Sequence, residues 1–395
     1  MSVLSGKKVL LGVTAGIAAY KSAHLVRLFV KKGAEVRVVM TPSTKEFVTP
    51  LTLSTLSKNE VYSSFTHEED DNAQWNNHVE LGLWADLFVI APATANTLSK
   101  MSQGTSDNIL VATYLSAKCP VYFAPAMDLD MYKHPSTDAT FSKLQSFGNI
   151  LIPAAHGELA SGLVGQGRMA EPETIVDFIE QDLSRKLPLK GKRILITAGP
   201  TYEAIDPVRF IGNHSSGKMG YAIAKVASEL GAEVTLVSGP TSLSMDHPLV
   251  DLVMVTSAQE MYEAVHRVFG ATDVAILSAA VADYRPAAIA DQKIKKKEGT
   301  LEIRLEKTKD ILASLGEIKQ GQFLVGFALE TQNELENAKT KLQKKNLDLI
   351  VLNSLNDKGA GFGTDTNKVT FITRDNKVIP FEVKSKQDVA KDILD

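Results

Sequence analysis

The stretch GKKVLLGVTAG, Gly6 to Gly16, returns as GKRILITAGP, Gly191 to Pro200. Downstream of each copy a second pair recurs, KKGAEVRVV (Lys31 to Val39) and ELGAEVTLV (Glu229 to Val237). Each half therefore opens with an apolar strand of the kind buried on both faces. A helix follows that stops at a glycine, Gly33 or Gly231, and then a second apolar strand. This is the repeating unit of a parallel, doubly wound sheet, and it predicts two Rossmann-like α/β domains.

Further strands are expected at DLFVIAP and PVYFAPA in the first half, and at DLVMVT, DVAILSA, QFLVGFA and DLIVLN in the second. Helical patterns lie between them, at NILVATYLSA, TIVDFIEQDL, AQEMYEAVHRVF and NELENAKTKLQKK. The run from Leu187 through Pro188 to Gly191 reads as a linker, so the expected domains are residues 1–188 and 189–395. A chain of 395 residues gives each domain enough length for its own core.

With 44% hydrophobic and 23% charged residues, the composition is that of an ordinary globular protein. The net charge of -3 argues against a nucleic-acid or membrane partner, which usually calls for a basic face. The one cysteine, Cys119, leaves no intrachain disulfide and fits a reducing compartment. No apolar run has the length of a signal or a membrane span, so a soluble cytoplasmic protein is expected.

The repeat also isolates a difference. Between first strand and glycine cap the second half is longer by about a dozen residues, where a tight turn is the norm. The excess falls in GPTYEAIDPVRFIGNHSSGK, Gly199 to Lys218, at the carboxyl end of a first strand, where open α/β sheets bind ligands. Gly212, Gly217 and Lys218 have the spacing of a P-loop. Met219 follows in place of the Ser or Thr that holds magnesium, and the preceding strand ends well upstream, so a P-loop is rejected.

In the first half, GVTAGIAAYKS (Gly12 to Ser22) opens a helix with small residues, Gly12 and Gly16 among them, and lets backbone N–H groups approach an anion. The glycine spacing is not that of a dinucleotide site. Ser43 and Thr44 are candidates to complete a monophosphate site. The stretch APATANTLSKMSQGTSDN supplies small polar groups for the edge of a planar ring, with Thr94, Asn96, Ser106 and Asp107 as candidates. Together these features favour FMN over NAD. His78, ahead of an amphipathic turn, is a candidate base because imidazole titrates near neutrality.

TAGIAAYKS, NHVEL, APATANT, PAMDLDMY and GQGRMAEP, in this order, resemble the flavin-dependent phosphopantothenoylcysteine decarboxylases. ITAGPT, DPVRFIGNHSSGKMG, AAVADYRP, KIKK and VGFALET resemble the phosphopantothenate-cysteine ligases. Their order is that of the fused bacterial enzymes of coenzyme A biosynthesis. The resemblance implies a ligase that uses CTP, with Mg2+, to convert 4'-phosphopantothenate into an acyl-cytidylate, which the amine of cysteine attacks. It then implies a decarboxylase that uses FMN: transient oxidation at the thiol carbon creates the electron sink that loss of CO2 requires, and the sum is redox-neutral.

By the same resemblance, Asn213 contacts the acyl group, Ser216, Gly217 and Lys218 lie at the substrate and nucleotide pocket, and Ala279 and Ala280 give close backbone approach. Asp283 holds nucleotide or metal, Lys293 neutralises phosphate charge, and Phe327 lines the cytosine site. In the decarboxylase His78 is the base, Asp128 and Met131 meet substrate, and Ser161 stands in the flap. Two positions depart from the family pattern. Asp128 replaces an Asn that donates to the substrate carboxylate, and Ser161 replaces a Cys credited with protonating the enethiol. The alternative reading is an active ligase fused to a flavin-binding module that does not decarboxylate. The resemblance further implies a homo-oligomer, a dodecamer of trimers and dimers, with FMN at subunit contacts.

Overall fold

A computed structural model describes residues 2–66, 75–295, 300–330, 332–354 and 363–395. Lys296 and Lys297 of the basic run and Thr331 of VGFALET lie outside the described residues. The chain divides into two compact units, Met1–Arg185 and Lys186–Asp395.

In the first unit six parallel strands form one sheet. Their order across it is Val61–Tyr62, Glu35–Met40, Lys8–Val13, Leu87–Ala93, Val121–Pro125 and Ile150–Leu151. The central strands are buried almost throughout, because helices cover both faces. The glycine-rich stretch after the sheet is an antiparallel hairpin, Ala155–Glu158 with Val164–Arg168, and the helix Pro172–Arg185 follows it.

The second unit repeats the arrangement in register. Lys8 faces Glu35 in the first sheet, and Arg193 faces Glu233 in the second. Even the edge chemistry recurs. Asp86 accepts from the backbone N–H of Lys8 at 2.8 Å, and Asp273 accepts from that of Arg193 at 2.7 Å. Gly33 and Gly231 both take positive φ, 86° and 95°, beyond the helices they end.

The second sheet has eight strands, in the order Val250–Met254, Glu233–Ser238, Arg193–Ala198, Val274–Leu277, Phe323–Glu330, Leu349–Ser354, Val369–Thr373 and Val378–Pro380. The last two are antiparallel additions, turned by Asn376 at φ 63°. The long insertion forms an antiparallel arm, Tyr202–Ala204 with Phe210–Gly212, on which the rings of Tyr202 and Phe210 stack at 3.9 Å. A second arm pairs Tyr284–Pro286 with Leu305–Lys307. Among the described residues, no helix is long and apolar enough to cross a membrane.

Candidate active sites

Two clefts open at the carboxyl ends of the first sheet and share Ala126 and Met127. The first, of about 520 Å3, is lined by Ser43, Thr94, Asn96, Asp107 and Met131, as well as by Ala15 and Lys100. Asp107 is bound by Lys100 at 2.5 Å and by Asn108 at 2.8 Å, and the Lys100 hydrogen bond chiefly holds its carboxyl below the ordinary value. Hydroxyls, an amide and this ion pair give the cleft a polar wall, while Ala126 and Met127 give it an apolar floor. Such a wall and floor fit a phosphorylated planar ring.

Three candidates from the same stretches stand elsewhere. Gly12 lies inside the strand Lys8–Val13, where a Cβ would come within 3.0 Å of Phe88 and 3.3 Å of Leu110, so its lack of a side chain serves sheet packing. Thr44 is fully buried, donates to Val13 O at 3.0 Å and contacts Thr41 at 2.8 Å, a structural link between loop and strand. Ser106 is exposed beside Asp107 and does not line the cleft. Gly16, by contrast, borders the second cleft.

That second cleft, of about 540 Å3, lies between the hairpin and the first helix and brings together Asp128, Ser161, Lys21 and Arg168. Asp128 caps the short helix Leu129–Lys133, its Oδ1 accepting from Leu129 N at 2.6 Å. Gly167, at φ 134°, is required beside it: a Cβ there would sit 2.4 Å from Met127 O.

Lys21 was not singled out from sequence, where it reads as a helix-start lysine. Its side chain is 7% exposed and donates to Met169 O at 3.2 Å and to Glu171 Oε1 at 2.9 Å. Arg168 meets the same carboxylate at 2.7 Å. The Lys21 hydrogen bond is the main reason that the Glu171 carboxyl titrates below its ordinary value. This cluster ties the base of the hairpin to the first helix.

His78 lines neither cleft. Its ring packs edge-on against Phe65 and Trp75, at 5.9 and 6.3 Å, and its buried Nδ1 has no hydrogen-bond partner among the described residues. Cys119 also lies apart, and burial pushes its thiol up to about 11, as an inert structural cysteine requires.

In the second unit a cleft of about 500 Å3 is lined by Ala279, Asp283, Phe327 and four lysines, Lys307, Lys309, Lys341 and Lys345. The stretch AAVAD is pinned from several sides. Ala280 N donates to Gly199 O at 2.9 Å, and Ala282 N to Thr201 Oγ1 at 2.9 Å. Asn213 donates through Nδ2 to Val281 O at 2.9 Å and to Ala280 O at 3.4 Å.

Lys341 and Lys345 escaped the sequence reading because the helix pattern there resembles a solvated charged face. Lys341 Nζ donates to Phe327 O at 2.7 Å, and burial, aided by the neighbouring Lys345 charge, moves its pKa down. Lys345 pairs with Asp310 at 2.7 Å. Four lysines in one cleft suit a polyphosphate.

The remaining candidates do not join this cleft. Lys218 is paired with Asp365 Oδ1 at 2.7 Å and Gly363 O at 2.9 Å. Gly217, at φ 74°, caps the helix Lys218–Glu229, and Ser216 precedes it. Lys293 is exposed on a loop. Asp283 has no companions for a metal: among the described residues no group of three or more His, Cys, Asp or Glu could hold one.

Comparison with known proteins covers both halves. Residues 2–184 match the family described as flavoprotein, and residues 189–395 match the DNA/pantothenate metabolism flavoprotein C-terminal domain. A cysteine/cysteine sulfinic acid decarboxylase of an unknown prokaryotic organism is 54% identical over 88% of this chain and 98% of its own. The coenzyme A biosynthesis bifunctional protein CoaBC of Bacillus subtilis is 47% identical over 99% of this chain and 97% of its own. The crystal structure of the C-terminal domain of a coenzyme A biosynthesis bifunctional protein CoaBC shares 50% identity, covering 53% of this chain and 95% of that one, with a TM-score of 0.46.

Proposed function

Because the chain belongs to the family of coenzyme A biosynthesis bifunctional proteins, we propose that it ligates 4'-phosphopantothenate to cysteine and then decarboxylates the product to 4'-phosphopantetheine. The observation that carries the reading is the match of both halves, end to end, to a single bifunctional relative. A flavin module without decarboxylase activity is not favoured, since the relative at 54% identity is itself named a decarboxylase.

The flavin we assign is FMN, held by Ser43, Thr94, Asn96 and Asp107 in the polar cleft of the first unit. When bound, it supplies a reversible two-electron acceptor beside the thiol carbon of the substrate. Asp128 and Ser161 meet the substrate in the adjoining cleft, which the hairpin borders. His78 serves the cleft of a neighbouring copy in a homo-oligomer, which accounts for its standing apart from both clefts of its own chain.

CTP occupies the lysine-lined cleft of the second unit, with Phe327 beside the base and Asp283 and the lysines toward the phosphates. Activation is needed because a carboxylate repels the attacking amine and lacks a leaving group, which CMP provides. Mg2+ is carried in with the nucleotide phosphates, as is usual for this ion. Lys293 neutralises charge that grows on the phosphates as the acyl-cytidylate forms. The test is pyrophosphate release from CTP that depends on 4'-phosphopantothenate, together with a flavin absorption spectrum in the purified protein.

A second reading is favoured by Asp128. A carboxylate in the cleft pairs with a free α-ammonium, which cysteine carries and its N-acylated form lacks. Free cysteine is then a further decarboxylation substrate, and release of CO2 from cysteine alone tests it.

A further inference from the structure

One residue of the loop that carries Lys293 is gripped on both of its backbone polar groups. Asp206 accepts through Oδ2 from the N–H of Ile294 at 3.1 Å, and Arg209 donates through Nη2 to the carbonyl of Ile294 at 2.6 Å. The two grips form an ion pair of their own, with Arg209 Nε 3.6 Å from Asp206 Oδ2 and the Asp206 side chain fully buried. A further tie joins Ala290 N to Ile205 O at 3.0 Å.

The two carboxylate oxygens of Asp206 do different work. Oδ1 accepts from the N–H groups of Val208 and Arg209, at 2.8 and 2.9 Å, and so builds the local turn. Oδ2 reaches the distant loop. Burial pushes this carboxyl up, but three backbone donors and the Arg209 charge outweigh it and keep the group below its ordinary value. An Asn retains one oxygen for the turn and offers an amide N–H2 where the other oxygen stood, so the turn survives and the tether fails.

An exposed lysine on an unanchored loop spends most of its time away from any one geometry, and fixing its backbone lowers that entropic cost. We propose that Asp206 is a positioning residue of the ligase step, holding the loop through Ile294 so that Lys293 reaches the reacting phosphates. The proposal rests on the role assigned to Lys293 above.

Pyrophosphate release by the full-length protein, with CTP, 4'-phosphopantothenate and Mg2+, is compared among Asp206→Asn, Lys293→Gln and the double variant. The expected loss in kcat for Asp206→Asn is about tenfold or more, with KM for CTP within about twofold and faster amide exchange at Ile294. Added to Lys293→Gln, Asp206→Asn costs no more than about a further twofold, because the two act through one group. A kcat unchanged by Asp206→Asn while Lys293→Gln is inactive overturns the proposal alone, as does an equal loss in both backgrounds. Wild-type turnover by Lys293→Gln overturns the lysine assignment and the proposal together. Should Asp206→Asn not fold, Arg209→Gln, at a partly exposed site, is held to the same pattern.

Discussion

Asn213 donates through Nδ2 to the backbone carbonyl of Val281 at 2.9 Å, tying the loop after the insertion arm to the stretch that borders the lysine cleft. This bond makes the amide nitrogen of Asn213 a structural requirement of the site. Asn213→Asp replaces a donor with an acceptor that faces two carbonyls. Ligase kcat should fall by about twofold to tenfold, since the loss of a hydrogen bond at this partly solvated site costs about 0.5–1.5 kcal/mol. Steady-state pyrophosphate release measures it, and decarboxylation of supplied phosphopantothenoylcysteine should be unchanged.

Lys341 gives the ligase half a pH signature. Burial lowers its pKa in the free protein, with the Lys345 charge adding to the effect, so it loses its proton at a lower pH than an ordinary lysine. Nucleotide phosphates favour the charged form, and CTP binding should therefore take up protons, increasingly as pH rises toward the ordinary lysine value of about 10.4. Titration calorimetry in buffers of different ionisation enthalpy reads the uptake directly. Lys341→Met should abolish it.

At the hairpin the sign is reversed. Glu171 has a lowered pKa, chiefly through its hydrogen bond from Lys21, so its tie is fully present above the ordinary glutamate value of about 4.3 and is lost as pH falls through the lowered one. Glu171→Gln should loosen the hairpin at neutral pH and remove this acid sensitivity. Amide exchange across Ala155–Arg168, followed from neutral to acid pH, distinguishes the two proteins.

Asp128→Asn preserves the helix cap, because the remaining side-chain oxygen still accepts from Leu129, and stability should change by less than about 0.5 kcal/mol. The change removes a charge from the cleft and restores a donor for the substrate carboxylate. KM for phosphopantothenoylcysteine should fall severalfold, while CO2 release from free cysteine should be lost.

The sheets were legible because buried parallel strands announce themselves as apolar runs, and the repeated GKK/GKR and GAEV pairs carried even the register. The antiparallel addition Val369–Pro380 was not read, although its alternation around Asn376 is a hairpin signal. The sites were legible only in part. Loops such as APATANT and AAVADYRP name their own clefts, but Lys21, Lys341 and Lys345 acquire meaning only when distant segments meet. Gly12 misled for the opposite reason: a glycine in a strand can serve close packing as well as an anion.

The central claim, that one chain performs both steps, is tested most directly by a mass spectrum of the products formed from 4'-phosphopantothenate, cysteine, CTP and Mg2+, with CO2 monitored. The account predicts 4'-phosphopantetheine with one CO2 per ligation, delivered by a hairpin that carries Ser161. Accumulation of phosphopantothenoylcysteine without CO2 would contradict it, leaving the ligase half active and the first half a flavin-binding module.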